Sequence, residues 1–215
     1  MRNHQSSTWL FRHPPLPSMA SLSGKVICIT GAASGIGRAT ATLLASHHAL
    51  LSLADINAPA LESLRTSLQH LSPLPILVTE LDVRSQEACR GWIVSTVSHF
   101  NQRIFGAANL AGVFGPSIAQ EKGSIYNITD AEFDFVWDVN LKGTLNCLRA
   151  QLPHMVEGKG GRGRGSIVNA ASVAGLVGGE NNAPYVASKH AVVGLTRTLA
   201  KEEGHRAIRC NAVAP

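Results

Sequence analysis

Tyr185 and Lys189, four residues apart in Tyr185-Val186-Ala187-Ser188-Lys189, are the pair in this chain best suited to chemistry. On a helix, positions i and i+4 share a face, so a phenol and an ammonium would serve one site. Pro184 just ahead suits a helix start. A tyrosine hydroxyl ordinarily ionises near pH ~10, too high for proton exchange near neutrality. A lysine cation beside it favours the phenolate and makes such a residue a usable acid and base. Ser172, at the end of the apolar run IVNAAS, adds a hydroxyl able to bond a carbonyl oxygen. A Tyr-x-x-x-Lys pair alone decorates many ordinary helices; the strand-end serine before it makes this one informative.

A second constellation lies near the other end. Thr30-Gly31-Ala32-Ala33-Ser34-Gly35-Ile36-Gly37 joins an apolar run to a helical segment with the spacing G-x-x-x-G-x-G. Such glycines let the backbone turn sharply and approach a pyrophosphate, which a helix N-terminus favours with free N–H groups and its positive dipole end. Gly and Ala there would equally allow close helix–strand packing. An acid about 20 residues on is needed for the adenosine ribose, and Asp55 stands at the end of the next apolar run. A carboxylate there accepts both ribose hydroxyls and repels a 2′-phosphate. No basic residue occupies Ala32, Ala33, Ser34 or the position after Asp55, so NAD is favoured over NADP, with Arg38 the one complication. Capping of the helix at Asn57 is the alternative role for Asp55. Asp82 in LDV follows the third strand and could meet an adenine edge, although turn capping explains it nearly as well. Asn109-Leu110-Ala111-Gly112 closes the fourth strand with small residues suited to backbone running beside a nucleotide.

The elements that must position these residues alternate strand and helix. Strands are expected at 25–30, 49–54, 76–79, 104–109, 166–171 and 208–213. Helices are expected at 35–47 (with Ile36, Leu43 and Leu44 among its apolar positions), 58–71, 85–100, 129–155 and 183–203. Thr129-x-x-Glu132 reads as a capping box opening the fourth of these. Near-continuously apolar strands separated by helices predict an α/β fold with a doubly wound parallel sheet, the Rossmann arrangement. Residues 115–127 read as a polar loop and 157–165 (EGKGGRGRG) as a flexible basic connector.

Composition narrows the classes. The 215 residues are 45% hydrophobic and 15% charged, enough apolar material for one large buried core. Net charge is +5, but four of the basic residues precede the first acid, Asp55, and the remaining fifteen meet fourteen acids. No basic stripe with interleaved aromatics marks a nucleic-acid surface. Four widely spaced cysteines without C-x-x-C predict reduced thiols in an intracellular protein, neither a metal cluster nor a disulfide scaffold. No window approaches the ~18 apolar residues of a membrane span. Residues 1–23 read as a disordered tail and 24–215 as one dinucleotide-binding domain. The tail has the Arg and Ser of a mitochondrial presequence, but Pro14, Pro15 and Pro17 break any long helix, so the cytoplasm is the expected location.

Collectively these residues resemble the short-chain dehydrogenase/reductase family over about 24–215. The carriers are T-G-x-x-x-G-I-G at 30–37, N-x-A-G at 109–112, Asn140 in VNLKG, Ser172, Y-x-x-x-K at 185–189 and NAVAP at 211–215. The resemblance implies an oxidoreductase passing a hydride between NAD(H) and a secondary alcohol or ketone. Tyr185 would transfer the proton, Ser172 would orient the substrate oxygen, Lys189 would also bind the nicotinamide ribose, and Asn140 would hold a water in the proton relay. Asn140 lies seven residues after Phe133, which places it on an inward helix face; a buried structural Asn is the alternative. Gly31, Ser34, Gly35, Ile36, Gly37, Asp55, Asp82, Val83, Asn109, Ala111, Gly112 and Pro215 would contact the cofactor, together with Tyr185 and Lys189, and no metal is implied. Helices 129–155 and 183–203 would pair across a homodimer or homotetramer interface. Two departures stand out. Leu110 replaces a common second Asn, and the sequence stops at Pro215, where family members continue through a substrate-covering segment and a further strand. The expectation is therefore a C-terminally incomplete domain, its alternative being an inactive dinucleotide-binding or protein-interaction module.

Overall fold

A computed structural model of the chain describes residues 22–120, 124–158 and 165–215. The expected tail lies almost wholly outside the described residues, and the basic connector and the 115–127 loop lie partly outside them. Strand β1 (Val26–Thr30) is buried along its whole length. Its period of two sends Ile27 and Ile29 into one apolar cluster and Val26 and Cys28 into another, so both faces of the sheet are covered. The helices α1 (Gly35–Ser46) and α2 (Ala58–Gln69) supply the first cluster. In α2, Leu61, Leu64 and Leu68 repeat at helical spacing and are buried, each contributing about 1.5–3 kcal/mol. The second cluster is built around Trp92 and Ile93 of α3 (Gln86–Phe100) and Cys147 and Leu148 of α5 (Gly143–Gln151).

With β2 (Leu50–Asp55), β3 (Ile76–Glu80), β4 (Gly106–Asn109), β5 (Ser166–Ala170) and β6 (Arg209–Val213), β1 forms one six-stranded parallel sheet in the order β3-β2-β1-β4-β5-β6. Chain order runs outward in opposite directions from β1 and β4. The crevice beyond their C-terminal ends is the position where such sheets bind ligands. The helix α6 (Ala183–Glu202) packs along β5 and β6. Among the described residues β6 pairs with β5 alone. No described helix is long and apolar enough to cross a membrane.

Two expectations are corrected, and α1 adds one detail. In α1, Ile36 and Leu43 are more than half exposed, while Gly37, Ala41 and Ala45 are buried. Glycine is required at 37, where a Cβ would collide with the Gly31 carbonyl oxygen, and Leu44 is half-buried against the first cluster. The single helix expected at 129–155 is α4 (Asp130–Trp137), a π-helical turn (Asp138–Lys142), α5 and a 3-10 turn (Leu152–His154) that contains Pro153. That π turn carries Asn140, so heptad spacing from Phe133 does not fix its direction. Phe133 is 36% exposed, whereas Asn140 is completely buried. Lastly, β4 begins at Gly106, and Ile104 makes only an isolated bridge to Met155.

Candidate active site

Tyr185 and Lys189 stand in the first two turns of α6, whose entry carries Pro184. With Ser172, immediately after β5, they line a cleft of about 350 Å³ above the sheet. Lys189 is 4% exposed, and its Nζ donates to the Ala170 carbonyl at 2.7 Å. Nζ lies 5.4 Å from the Tyr185 ring centre. Burial lowers the lysine pKa from its ordinary value to about 8, because an ammonium surrounded by protein loses hydration. The Ser172 hydroxyl accepts from Ala174 N–H at 3.2 Å and approaches the Pro215 carbonyl at 3.4 Å.

The other wall is the segment after β4. Asn140 holds it from below: its Oδ1 accepts from Val113 N–H at 2.8 Å, and its Nδ2 donates to the Val113 carbonyl at 3.0 Å and to Ser188 Oγ at 3.0 Å. Ser188 Oγ donates to the Tyr185 carbonyl at 2.8 Å, so the π turn is tied directly to the turn that bears Tyr185. Gly112 sits between Asn140 and Lys189; a Cβ there would stand 3.2 Å from Asn140 Oδ1 and 3.3 Å from Lys189 Nζ. A second clamp holds the same segment from α4. Thr129 Oγ1 caps α4 by accepting from Glu132 N–H, as a capping box requires. The Glu132 carboxylate, however, accepts from both the N–H and the hydroxyl of Ser117. Between the clamps Phe114 stacks on Tyr185, ring centres 4.2 Å apart and planes 25° from parallel.

At the nucleotide end, Gly31 and Gly35 have positive φ, +66° and +47°. A Cβ on Gly31 would come within 2.8 Å of Ala111 N, whereas Gly35 faces open space. Thr30 Oγ1 accepts from the N–H groups of Leu110 and Ala111, joining the ends of β1 and β4. Ser34 begins α1 without a side-chain cap, and the first turn carries no acid, so its N–H donors are left for an anion. Asp55 Oδ2 accepts from Ala33 N–H at 3.0 Å and Oδ1 from Asn57 N–H at 3.0 Å. The cap of α2 belongs to Asn57, which leaves Asp55 beside the glycine turn. These features suit an adenine dinucleotide, with the pyrophosphate against Ser34, Gly35 and Ile36 and the ribose at Asp55.

Not every expected contact faces this crevice. Asp82 is gripped by Arg84 through Nε and Nη2, and that hydrogen bonding lowers its pKa. The Val83 carbonyl takes the Asn146 amide at 3.0 Å. The Asn109 side chain points into the core, bonded to Gln151 and Asn169, and Asn169 continues to Thr196. Sequence reasoning missed Phe114, Ser117, Ser188 and this amide chain, and read Glu132 only as a cap. Gly115 was the available signal for Glu132, since a Cβ there would strike the Glu132 carboxylate.

The family model for short chain dehydrogenases matches residues 25–215. The chain belongs to this family. It is 46% identical over 198 residues to the short-chain dehydrogenase/reductase aba4 of Botryotinia fuckeliana, an alignment covering 92% of this chain and 73% of that one. The crystal structure of levodione reductase superposes with a TM-score of 0.82 at 38% identity, covering 90% of this chain and 72% of that one. NAD⁺-bound xylitol dehydrogenase gives 0.82 at 33% identity, covering 91% and 71%. As a short-chain dehydrogenase with dehydrogenase and reductase relatives, the chain is an NAD(P)-dependent oxidoreductase.

Proposed function

We propose that the protein transfers a hydride between NAD(H) and a secondary alcohol or ketone, with Tyr185 exchanging the proton at the substrate oxygen. The observation that carries this is the convergence of Tyr185, Lys189 and Ser172 on one cleft beside Gly112. The NAD-bound relative and the Asp55 carboxylate at the glycine turn support NAD over NADP. When bound, NAD supplies the hydride acceptor for alcohol oxidation or, reduced, the donor for ketone reduction.

The residues of this chain supply the rest. Ser172 donates to the substrate oxygen and fixes its direction. In oxidation the hydroxyl proton passes to Tyr185 as hydride leaves the same carbon; in reduction Tyr185 returns it. Lys189 keeps positive charge beside the phenol without competing for the proton, its ammonium held on the Ala170 carbonyl. Asn140 is proposed as the inner end of the relay. Both its amide hydrogens already have acceptors, so a water there would donate to Asn140 Oδ1 or to its main-chain carbonyl. Gly31, Gly37 and Gly112 shape the crevice by carrying no side chain, the Ala111 backbone lies against Gly31, and Pro215 lines the cleft. Asp82, Val83 and Asn109 would serve through their backbone or after rearrangement, since their present partners occupy the side chains or carbonyl described above.

Residues 24–215 are proposed to act as one dinucleotide-binding domain. Four free, buried thiols support a reducing, cytoplasmic setting. The partly exposed Phe133 and Phe135 on α4 support a homodimer or homotetramer, to be checked by elution volume. The catalytic reading is tested by NADH-linked turnover of ketones in Tyr185→Phe. A loss of about 10³-fold or more in kcat with NADH binding retained is expected; unchanged turnover would refute it.

A further inference from the structure

Phe114 is 55% exposed although one face of its ring lies on Tyr185. Its backbone is not free to leave: Asn140 holds Val113 by two hydrogen bonds on one side, and Glu132 holds Ser117 by two on the other. The result is a fixed aromatic surface whose centre is 4.2 Å from that of the Tyr185 ring. A substrate whose oxygen reaches the Tyr185 hydroxyl enters the cleft that Phe114 also lines. Leu110 and Val113 continue the same wall in apolar character, and Lys189 is the one cation among the described residues that line the cleft. Its ammonium is already directed to the Ala170 carbonyl. Among the described residues, the cleft lining offers no cation besides Lys189 to a carboxylate or phosphate on the substrate.

Resting on the catalytic reading above, we propose that Phe114 is a specificity-determining residue that selects a neutral, apolar, single-ring secondary alcohol or ketone. A carbocycle covers a flat aromatic face without freezing internal rotors. An open chain of equal carbon number must immobilise several bonds to bury the same area, each at a cost of lost rotamer freedom.

The test compares cyclohexanone with 2-hexanone, which share carbon count and functional group, using NADH and the wild type, Phe114→Ala and Phe114→Tyr. The wild type should favour cyclohexanone in kcat/KM by about tenfold. Phe114→Ala should lower kcat/KM for cyclohexanone about tenfold more than for 2-hexanone, the difference residing in KM, and Phe114→Tyr should restore the preference. Equal losses for both ketones, or a preference for an anionic keto acid such as pyruvate, overturn the proposal. The same variants are also followed by the shift in melting temperature that cyclohexanol or 2-hexanol produces in the presence of NAD⁺. A cyclohexanol-selective shift that Phe114→Ala removes, without turnover of any ketone, keeps the aromatic wall and refutes the catalytic reading. Turnover indifferent to Phe114 does the reverse, and neither signal refutes both.

Discussion

Lys189 shows at single-residue scale how a functional group costs stability. Its folded pKa of about 8 lies below the ordinary lysine value of 10.5, so the folded chain binds fewer protons than the unfolded one between those limits. Stability therefore rises across that window, and below pH ~8 the buried cation carries its full desolvation penalty. Lys189→Met should abolish turnover yet stabilise the protein free of cofactor by about 2 kcal/mol at pH 6.5, after allowing for the lost bond to Ala170. The gain should shrink towards pH 9.5, as urea unfolding at the two pH values will show. Asp55 is a residue-scale case of the opposite kind. Its two oxygens each hold a backbone N–H, one of them in the glycine turn. Asp55→Ala should weaken NADH binding about tenfold and narrow the gap to NADPH, read by nucleotide fluorescence titration.

Among the elements, two glycines separate rigid from yielding contacts. A Cβ on Gly37 meets the Gly31 carbonyl oxygen, which is backbone in the first turn of the crevice and cannot move aside. Gly37→Ala should cost about 3 kcal/mol or more and abolish nucleotide binding together. A Cβ on Gly115 meets the end of the Glu132 side chain, which can swing away by releasing Ser117. Gly115→Ala should cost only about 1–2 kcal/mol, and in Glu132→Ala its further cost should nearly vanish. A double-mutant cycle by chemical denaturation measures that coupling; additive losses would mean that the clamp does not hold the loop. The π turn belongs to this scale too. It places Asn140 beneath Val113 and beside Ser188, a reach that regular helical continuation from α4 would not provide.

Across the whole molecule, the buried amides of Asn109 and Asn169 face each other on β4 and β5, with Gln151 from α5 and Thr196 from α6 completing the chain. All four are almost fully buried, and every polar side-chain atom buried among the described residues has a partner. The arrangement ties two strands to two helices packed on the same face of the sheet, next to Leu110 and Ala170 of the cleft lining. Asn169→Leu would leave Asn109 and Thr196 short of a partner and should destabilise by about 2–4 kcal/mol in urea unfolding.

Much of this was legible in the sequence because it rests on local physics. β-branched runs bounded by glycine announce buried parallel strands, helical spacing places Tyr185 and Lys189 on one face, and the glycine spacing marks a turn that excludes side chains. The doubly wound parallel sheet follows from those signals, whereas its strand order and the lining of the cleft are seen only in the fold. Partner choice was not legible. Glu132 satisfies a capping pattern yet gives its carboxylate to Ser117, Asn109 turns inward to Gln151, and of the large apolar side chains of α1 Leu44 packs against the core while Leu43 is exposed and Ile36 lines the cleft. Local spacing determines which direction a backbone runs and which face a side chain shares. A polar group with several possible partners, or an aromatic ring such as Phe114, is assigned only when folding brings one distant neighbour within contact distance and excludes water from the rest.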